Sequence, residues 1–259
     1  MPDNQLTMKS LLKQSFLVLA ISFLMVSCVT NEKKNVSKNI ENPAALSTKG
    51  NGEWWEKRHK EIVERLDKNP QLILVGNSIF HTLDNEDRKK VWEKHLDQYQ
   101  TVNMGISGDR TENVIWRLQN GAIENINPKV ALVLIGTNNT DGNHYLNIST
   151  PEELEGGIWR ICEILRQKLP NTKIVLLGIL PYGYKPNHRD NINKATNQLI
   201  AKFCERDDNI YYLDIGDIYL NEEGTVRKEI MPDFLHPNAE GHLLMFDALE
   251  KGLTAMMNK

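Results

Sequence analysis

Three side chains of this sequence have the types and the spacing that nucleophilic acyl transfer requires. Ser78 closely follows the apolar run 71–75, and Asp233 precedes His236 by three residues, with Pro237 next. A serine becomes a nucleophile when a base accepts its proton, and a carboxylate orients that base. Because one short turn can bring Asp233 to one imidazole nitrogen and leave the other free for Ser78, these residues are candidates for a Ser-His-Asp triad.

Each of these residues also has a simpler interpretation. Ser78 on its own could cap the N-terminus of the next helix. An aspartate three residues before a histidine is weak evidence when taken alone, because such pairs occur by chance. His242, one of the seven histidines, lies inside the predicted closing helix and is expected to be packed or exposed.

The rest of the sequence alternates short apolar runs with amphipathic segments. Runs without polar residues predict strands that are buried on both faces, and each is followed by a helical pattern. This alternation predicts a doubly wound, three-layer α/β/α fold of the flavodoxin-like type, with a five-stranded parallel sheet. Strands are predicted at residues 71–75, 99–103, 130–135, 173–180 and 210–215, and helices at 54–66, around 114–118, 151–169, 190–205 and 237–256. In such sheets the ligand site lies at the carboxyl ends of the strands.

Four short motifs fall in the loops at those strand ends. They are Gly76-Asn77-Ser78, Gly105-Ile-Ser-Gly108-Asp, Gly136-Thr-Asn138 and Asp233-x-x-His236. In this order and at these positions they resemble the SGNH (GDSL-type) hydrolase family. Within that family, Gly108-Asp-Arg-Thr, Val114-Ile-Trp-Arg-Leu-Gln-Asn-Gly121 and Asp233-Phe-Leu-His236 are most similar to the catalytic subunits of intracellular platelet-activating-factor acetylhydrolase. The likeness spans roughly residues 72–242.

The resemblance implies a role for each of the site residues. It makes Ser78 the nucleophile, His236 the general base and then the general acid, and Asp233 the carboxylate that orients His236. The backbone N–H groups of Ser78 and Gly108, together with the side-chain amide of Asn138, form the implied oxyanion hole. The resemblance implies neither a metal nor any other cofactor.

The first residues have the layout of an export signal. Lysines precede the apolar run 16–26, which is shorter than the roughly 20 apolar residues of a spanning helix, and Ser27 and Cys28 follow. Met25-Val-Ser-Cys28 resembles a bacterial lipobox, which implies cleavage before Cys28 and its lipidation. A plain signal peptide with an incidental cysteine is the alternative, and Met8 is an alternative start. We expect a signal peptide at 1–27, a lipidated flexible tether at 28–50, a hydrolase domain at 51–259, and an exported, membrane-anchored bacterial lipoprotein.

Composition excludes other classes of protein. The 31 Lys and Arg residues nearly balance the 34 Asp and Glu residues, so no nucleic-acid partner is expected. Three cysteines cannot form a disulfide scaffold, and they do not have the spacing of zinc ligands.

The resemblance predicts a serine esterase that hydrolyses short-chain esters, above all acetyl esters, through an acyl-enzyme. The family's usual Gly-Asp-Ser is Gly-Asn-Ser here, a change at Asn77 that leaves the implied triad intact. For an exported protein we expect O-acetylated sugars or glycans as substrates. Acetylhydrolase or lysophospholipase activity on phospholipid esters is the alternative, and a noncatalytic, lipid-tethered glycan-binding protein is an alternative of another class. The likeness also leaves a homodimer open.

Overall fold

The computed structural model describes residues 41–258. The predicted signal peptide, the lipid-bearing Cys28, the alternative start at Met8 and most of the predicted tether lie outside the described residues. Between residues 41 and 258, no helix is both long and apolar enough to cross a membrane.

The centre of the fold is a parallel sheet in which every strand runs the same way. Its order is β2-β1-β3-β4-β5, which is the flavodoxin-like order. The predicted α/β fold with five parallel strands is therefore confirmed. The chain reverses its winding direction between β1 and β3, and the loops after these two strands open into the same crevice. The strands are β1 (Leu72–Gly76), β2 (Val102–Asn103), β3 (Val130–Leu134), β4 (Lys173–Leu177) and β5 (Ile210–Leu213).

Helices cover both faces of this sheet. They are α1 (Glu53–Arg65), α2 (Ser78–His81), α3 (Lys89–Val91), α4 (Thr111–Gln119), α5 (Pro151–Lys168), α6 (His188–Ile200) and α7 (Ala239–Met257). Successive side chains of a strand point to opposite faces, so Ile73 and Val75 join one apolar core while Leu72 and Leu74 join the other. The first core lies beneath α1, α4, α5 and α6, and the second lies beneath α2, α3 and α7.

Most predicted elements differ from the observed ones by a few residues at their ends; β4, for example, ends at Leu177 and β5 ends at Leu213. In β2 and α6 the cause can be seen. The edge strand β2 has only two residues, because residues 97–99 form a short 3-10 helix that Gln100 closes in the left-handed conformation, with φ at 50°. Helix α6 begins at His188, two residues earlier than predicted, because the side chain of Asn187 caps it by accepting the N–H of Asp190. Both differences arise from local capping, which an apolar pattern does not record.

The last part of the predicted tether is packed against the domain. Asn42 donates its side-chain amide to the Glu153 carbonyl at 2.8 Å, and the buried Ala44 accepts a hydrogen bond from the Thr111 hydroxyl at 2.7 Å. The Thr48 N–H reaches the Glu112 carbonyl at 3.1 Å. Because polar groups on α4 and α5 hold this segment, packed structure begins near residue 42, earlier than the predicted boundary at residue 51.

Candidate active site

Ser78 lies at the point where β1 passes into α2. The strand ends at Gly76, where a side chain would come within 2.4 Å of the Leu134 carbonyl. Asn77 is the cap of α2, since its side-chain oxygen accepts the N–H of Ile79 at 3.1 Å. Ser78 is therefore the first residue of the helix and not its cap, and its hydroxyl remains available at the sheet edge.

The three predicted triad residues form one hydrogen-bonded chain. The Ser78 hydroxyl lies 2.8 Å from Nε2 of His236, and Nδ1 of His236 lies 2.6 Å from Oδ2 of Asp233. The other carboxylate oxygen of Asp233 accepts the backbone N–H of His236 at 2.7 Å. The structure thus brings together side chains that are 158 residues apart in the sequence.

The electrostatics of this chain favour a serine that can be activated. Partial burial works to raise the pKa of Asp233, but the hydrogen bonds and the charge of His236 hold that pKa below its usual value. An ionised Asp233 accepts a hydrogen bond from Nδ1–H and so fixes the tautomer of the ring. Nε2 then carries a lone pair toward the Ser78 hydroxyl, which is the arrangement that general-base catalysis needs.

A sharp turn holds the acid and the base of this chain together. Phe234 has a positive φ of 59°, in the left-handed region that costs a side-chain-bearing residue roughly 1–2 kcal/mol. Its carbonyl accepts the N–H of Gly183 at 2.9 Å, and its ring packs 5.5 Å from the ring of Tyr184. These contacts hold the unfavourable backbone conformation, which folds Asp233 back onto His236.

The spacing of Asp233 and His236 does not by itself identify the triad. Asp141 and His144 have the same spacing, and their side chains also pair, with 2.7 Å between Oδ2 and Nδ1. The imidazole of His144 is 77% exposed. His236 differs because its second nitrogen contacts Ser78, so the serine contact singles it out.

A second serine and histidine also meet near the site. The hydroxyl and the backbone N–H of Ser107 both point at Nδ1 of His81, at 2.9 and 3.1 Å. Burial lowers the pKa of His81. The backbone N–H of Ser107 already occupies Nδ1 of His81, and no carboxylate within residues 41–258 hydrogen-bonds this ring. Ser107 and His81 therefore lack the free base and the orienting carboxylate that Ser78 has.

The three predicted oxyanion donors lie on the loops after β1, β2 and β3. Gly108 has a φ of 80°, a conformation that glycine adopts without penalty. Asn138 is buried and donates one hydrogen of its amide to the Asp109 carbonyl at 2.9 Å, which leaves its second hydrogen free. Among the hydrogen bonds of the described residues, none uses the N–H of Ser78 or of Gly108. These groups can therefore bind a developing negative charge.

Sequence reasoning missed a buried ion pair beneath these loops. Arg117 is fully buried and meets the carboxylate of Asp109 at 2.7 Å, while Trp55 donates its indole N–H to the other oxygen at 2.7 Å. Burial raises the pKa of Asp109, and the hydrogen bonds from Arg117 and Trp55 oppose that rise. Arg117 also donates to the carbonyls of Met104 and Gly76, at 2.8 and 3.1 Å. The Arg117 guanidinium thus links the loops after β1 and β2. The position of Arg117 on the apolar face of α4 was the sequence signal that could have indicated a buried charge.

Within residues 41–258, one cluster has side chains close enough to hold a metal ion. It consists of His95, Asp247 and Glu250. Asp247 already pairs with Lys94 at 2.5 Å and with His95 at 2.8 Å, so these partners already engage its carboxylate. No residue of the Ser78 chain belongs to this cluster.

Comparisons with known proteins identify the family of the chain. The sequence pattern of the GDSL-like lipase/acylhydrolase family matches residues 74–244. Platelet-activating factor acetylhydrolase IB subunit alpha2 of Rattus norvegicus is 33% identical over 212 residues, which cover 80% of this chain and 88% of that relative.

Solved structures share the fold. A GDSL-like lipase from Bacteroides thetaiotaomicron has a TM-score of 0.59 at 18% identity and covers 77% of this chain and 97% of its own. An acetyl xylan esterase has a TM-score of 0.60 at 19% identity and covers 70% of this chain and 98% of its own. The family resemblance drawn from the motifs is confirmed. The chain therefore belongs to the GDSL-like lipase/acylhydrolase family and is a carboxylic ester hydrolase.

Proposed function

We propose that this hydrolase removes short acyl groups, above all acetyl, from O-acetylated sugars or glycans, with Ser78, His236 and Asp233 as its triad. The observation that carries the proposal is the unbroken chain of short hydrogen bonds from Asp233 through His236 to the Ser78 hydroxyl. A noncatalytic glycan-binding protein would have no need to keep this chain in working geometry.

The proposed reaction has two steps. Ser78 Oγ attacks the ester carbonyl while its proton passes to Nε2 of His236, and the N–H groups of Ser78, Gly108 and Asn138 bind the oxyanion. The tetrahedral intermediate collapses, His236 protonates the leaving alcohol, and an acyl-enzyme remains on Ser78. Water then gives a proton to His236 and attacks the acyl carbon. The second tetrahedral intermediate collapses, His236 returns its proton to the departing Ser78 Oγ, and the carboxylic acid is released.

The exposure of the triad supports a substrate in which the acyl group is attached to a large alcohol. The side chain of Asp233 is 57% exposed and that of His236 is 31% exposed, so this side of the site faces solvent. An open site lets a large alcohol, such as a sugar chain, remain outside while its acetyl group reaches Ser78. The structural likeness to an acetyl xylan esterase supports the same substrate class.

A phospholipid acetyl ester is the second candidate substrate. It is favoured by the 33% identity to the platelet-activating factor acetylhydrolase subunit, which exceeds the identity to the acetyl xylan esterase. The chemistry at Ser78 is the same in both cases, so only the alcohol separates the two proposals.

The test of the triad uses the full chain and p-nitrophenyl acetate. We expect Ser78→Ala to abolish the burst and the steady-state hydrolysis, and Ser107→Ala, the matched control from the second serine–histidine pair, to retain activity. A fluorophosphonate should add its mass to the peptide that contains Ser78. Equal rates for the wild type and Ser78→Ala would refute the assignment.

A substrate panel then separates the two alcohols. Acetylated xylan, O-acetylated sialic acid and an acetylated phospholipid are compared by kcat/KM, with acetate release as the common readout. We expect the acetylated sugars to be preferred, and preference for the phospholipid would overturn the choice of substrate class.

We also propose that Cys28 carries a lipid that anchors the exported protein to a membrane. The proposal rests on the lipobox-like Met25-Val-Ser-Cys28 segment. Cys28→Ala should move the protein from the membrane fraction to the soluble fraction. Unchanged retention in membranes would refute the anchor.

A further inference from the structure

A groove of about 490 Å³ runs beside Gly108. One wall is formed by residues of the segment 107–113, which ends in the first turn of α4, and of the loop 144–147. The other wall is formed by residues of the N-terminal segment 43–55. Its volume lies within the roughly 300–1,000 Å³ of typical small-molecule sites. The N-terminal wall lies outside residues 74–244, the part that matches the family. The groove therefore joins Gly108 of the proposed oxyanion hole to a wall that carries none of the triad residues.

Three aromatic residues, Trp54, Trp55 and Tyr145, line this groove, and because Trp55 is buried, Trp54 and Tyr145 are the two that a ligand can reach. Trp54, the second residue of α1, is 53% exposed. Tyr145 donates its hydroxyl to the Gly108 carbonyl at 2.6 Å, so its ring lies next to the proposed oxyanion hole. Flat aromatic faces are apolar and bind the C–H faces of sugar rings, while neighbouring polar groups bind the hydroxyls.

The charged side chains of the groove are already paired. Arg110 meets Glu112 at 2.5 Å, and Lys49 meets Glu56, just outside the groove, at 2.7 Å. The exposed amide side chain of Asn147 makes no hydrogen bond within residues 41–258 and can serve a ligand. Paired charges and free amides suit a neutral, hydroxyl-rich ligand better than an ionic one.

A lipid chain would satisfy only part of this lining. Apolar atoms, among them those of Trp54 and Leu146, form the larger part of it, but an acyl chain lying there would remove the side-chain amides of Asn51 and Asn147 from water without replacing their hydrogen bonds. A pyranose supplies hydroxyls to these amides and a C–H face to the aromatic rings.

We propose that this groove is the carbohydrate subsite of the enzyme, in which Trp54 and Tyr145 hold a neutral oligosaccharide while its acetyl ester reaches Ser78 past Gly108. The inference rests on the proposed function and adds to it the place where the sugar chain binds. It also gives the packed segment 43–51 a part in substrate selection.

The test compares two substrates in the same full-length variants. Trp54→Ala should lower the ratio of kcat/KM for acetylated xylotetraose to kcat/KM for p-nitrophenyl acetate by about tenfold, the loss expected from one aromatic contact of about 1.4 kcal/mol. Trp54→Phe should restore most of the ratio. Tyr211→Ala, which removes an exposed ring on β5, should leave the ratio at the wild-type value.

A binding measurement separates this inference from the catalytic proposal. Unacetylated xylotetraose should bind the wild type in a calorimetric titration and bind Trp54→Ala about tenfold more weakly, whatever the state of the triad. Inactivity of the wild type toward p-nitrophenyl acetate would refute the proposed function and leave the titration interpretable. An active enzyme whose substrate ratio and sugar affinity are unchanged by Trp54→Ala would overturn the subsite.

Discussion

Replacement of the buried His242 should change how the stability of the protein depends on pH. His242 is fully buried in α7, donates from Nε2 to the Ile79 carbonyl at 2.8 Å, and faces Arg88 at 3.4 Å. Burial, assisted by the charge of Arg88, lowers the pKa of His242 from 6.5 to about 4. The unfolded chain therefore binds this proton well above the pH at which the folded chain does.

The sign and size of the effect follow from that difference in pKa. The contribution of His242 to stability is complete above pH 6.5 and is lost as the pH falls toward about 4. The difference between the two pKa values corresponds to about 3 kcal/mol of unfolding free energy. His242→Gln removes the titration and keeps a donor for the Ile79 carbonyl. The stability gap, defined as the unfolding free energy of the wild type minus that of this variant, should therefore fall by about 3 kcal/mol from pH 7.5 to pH 4.

Urea unfolding at pH 7.5, 6, 5 and 4, followed by tryptophan fluorescence, measures this gap. Carboxylates such as Asp84, whose pKa Arg65 and Arg58 lower against the effect of desolvation, reduce the stability mainly at lower pH, and they do so in both proteins. His188→Gln, which removes an exposed histidine, is the control for loss of one imidazole. A gap that stays constant from pH 7.5 to pH 4 would show that the fold accommodates protonated His242, contrary to the burial argument.

Three further predictions concern the loops of the site and the elements that support them. Asn138→Ala should lower kcat on p-nitrophenyl acetate by about 10²–10³ with little change in KM, and an unchanged kcat would remove Asn138 from the oxyanion hole. Arg117→Met should lower the unfolding free energy by about 3–5 kcal/mol, because it leaves the buried carboxylate of Asp109 without its partner. Adding Asp109→Asn should recover part of that loss in the same urea titration, and failure to recover any would mean that the ion pair is not the cause. Thr150→Ala removes the hydroxyl that caps α5 and should cost about 1 kcal/mol, whereas Thr150→Ser should not.

The sheet and the triad could be predicted because each has a local signature. β1 and β3 are buried at every position, so their sequences contain no polar interruption, and the loops that follow must meet at one edge. Asp233 and His236 are three residues apart, so a single turn brings them together. Their contact with Ser78 then follows from the direction of the strands.

Other features depend on contacts that no local pattern records. The position of Arg117 on the apolar face of α4 indicates a buried charge, but its pairing with Asp109 is revealed only when α4 is placed over the loop after β2. The segment from residue 42 has few apolar residues, and what holds it is a set of hydrogen bonds to α4 and α5. The left-handed Phe234 contradicts its own backbone preference, and only the surrounding fold requires it.

The packing of residues 42–50 would also limit how far the enzyme could work from a membrane to which the proposed lipid on Cys28 held it. If Cys28 carries the anchor, fourteen peptide units separate it from Asn42. Fully extended they reach about 50 Å, compared with about 80 Å for a linker that continues to residue 51. The hydrolase domain would then act only within a thin layer at the bilayer surface. Its turnover in the cell would depend on the density of acetylated material within that layer.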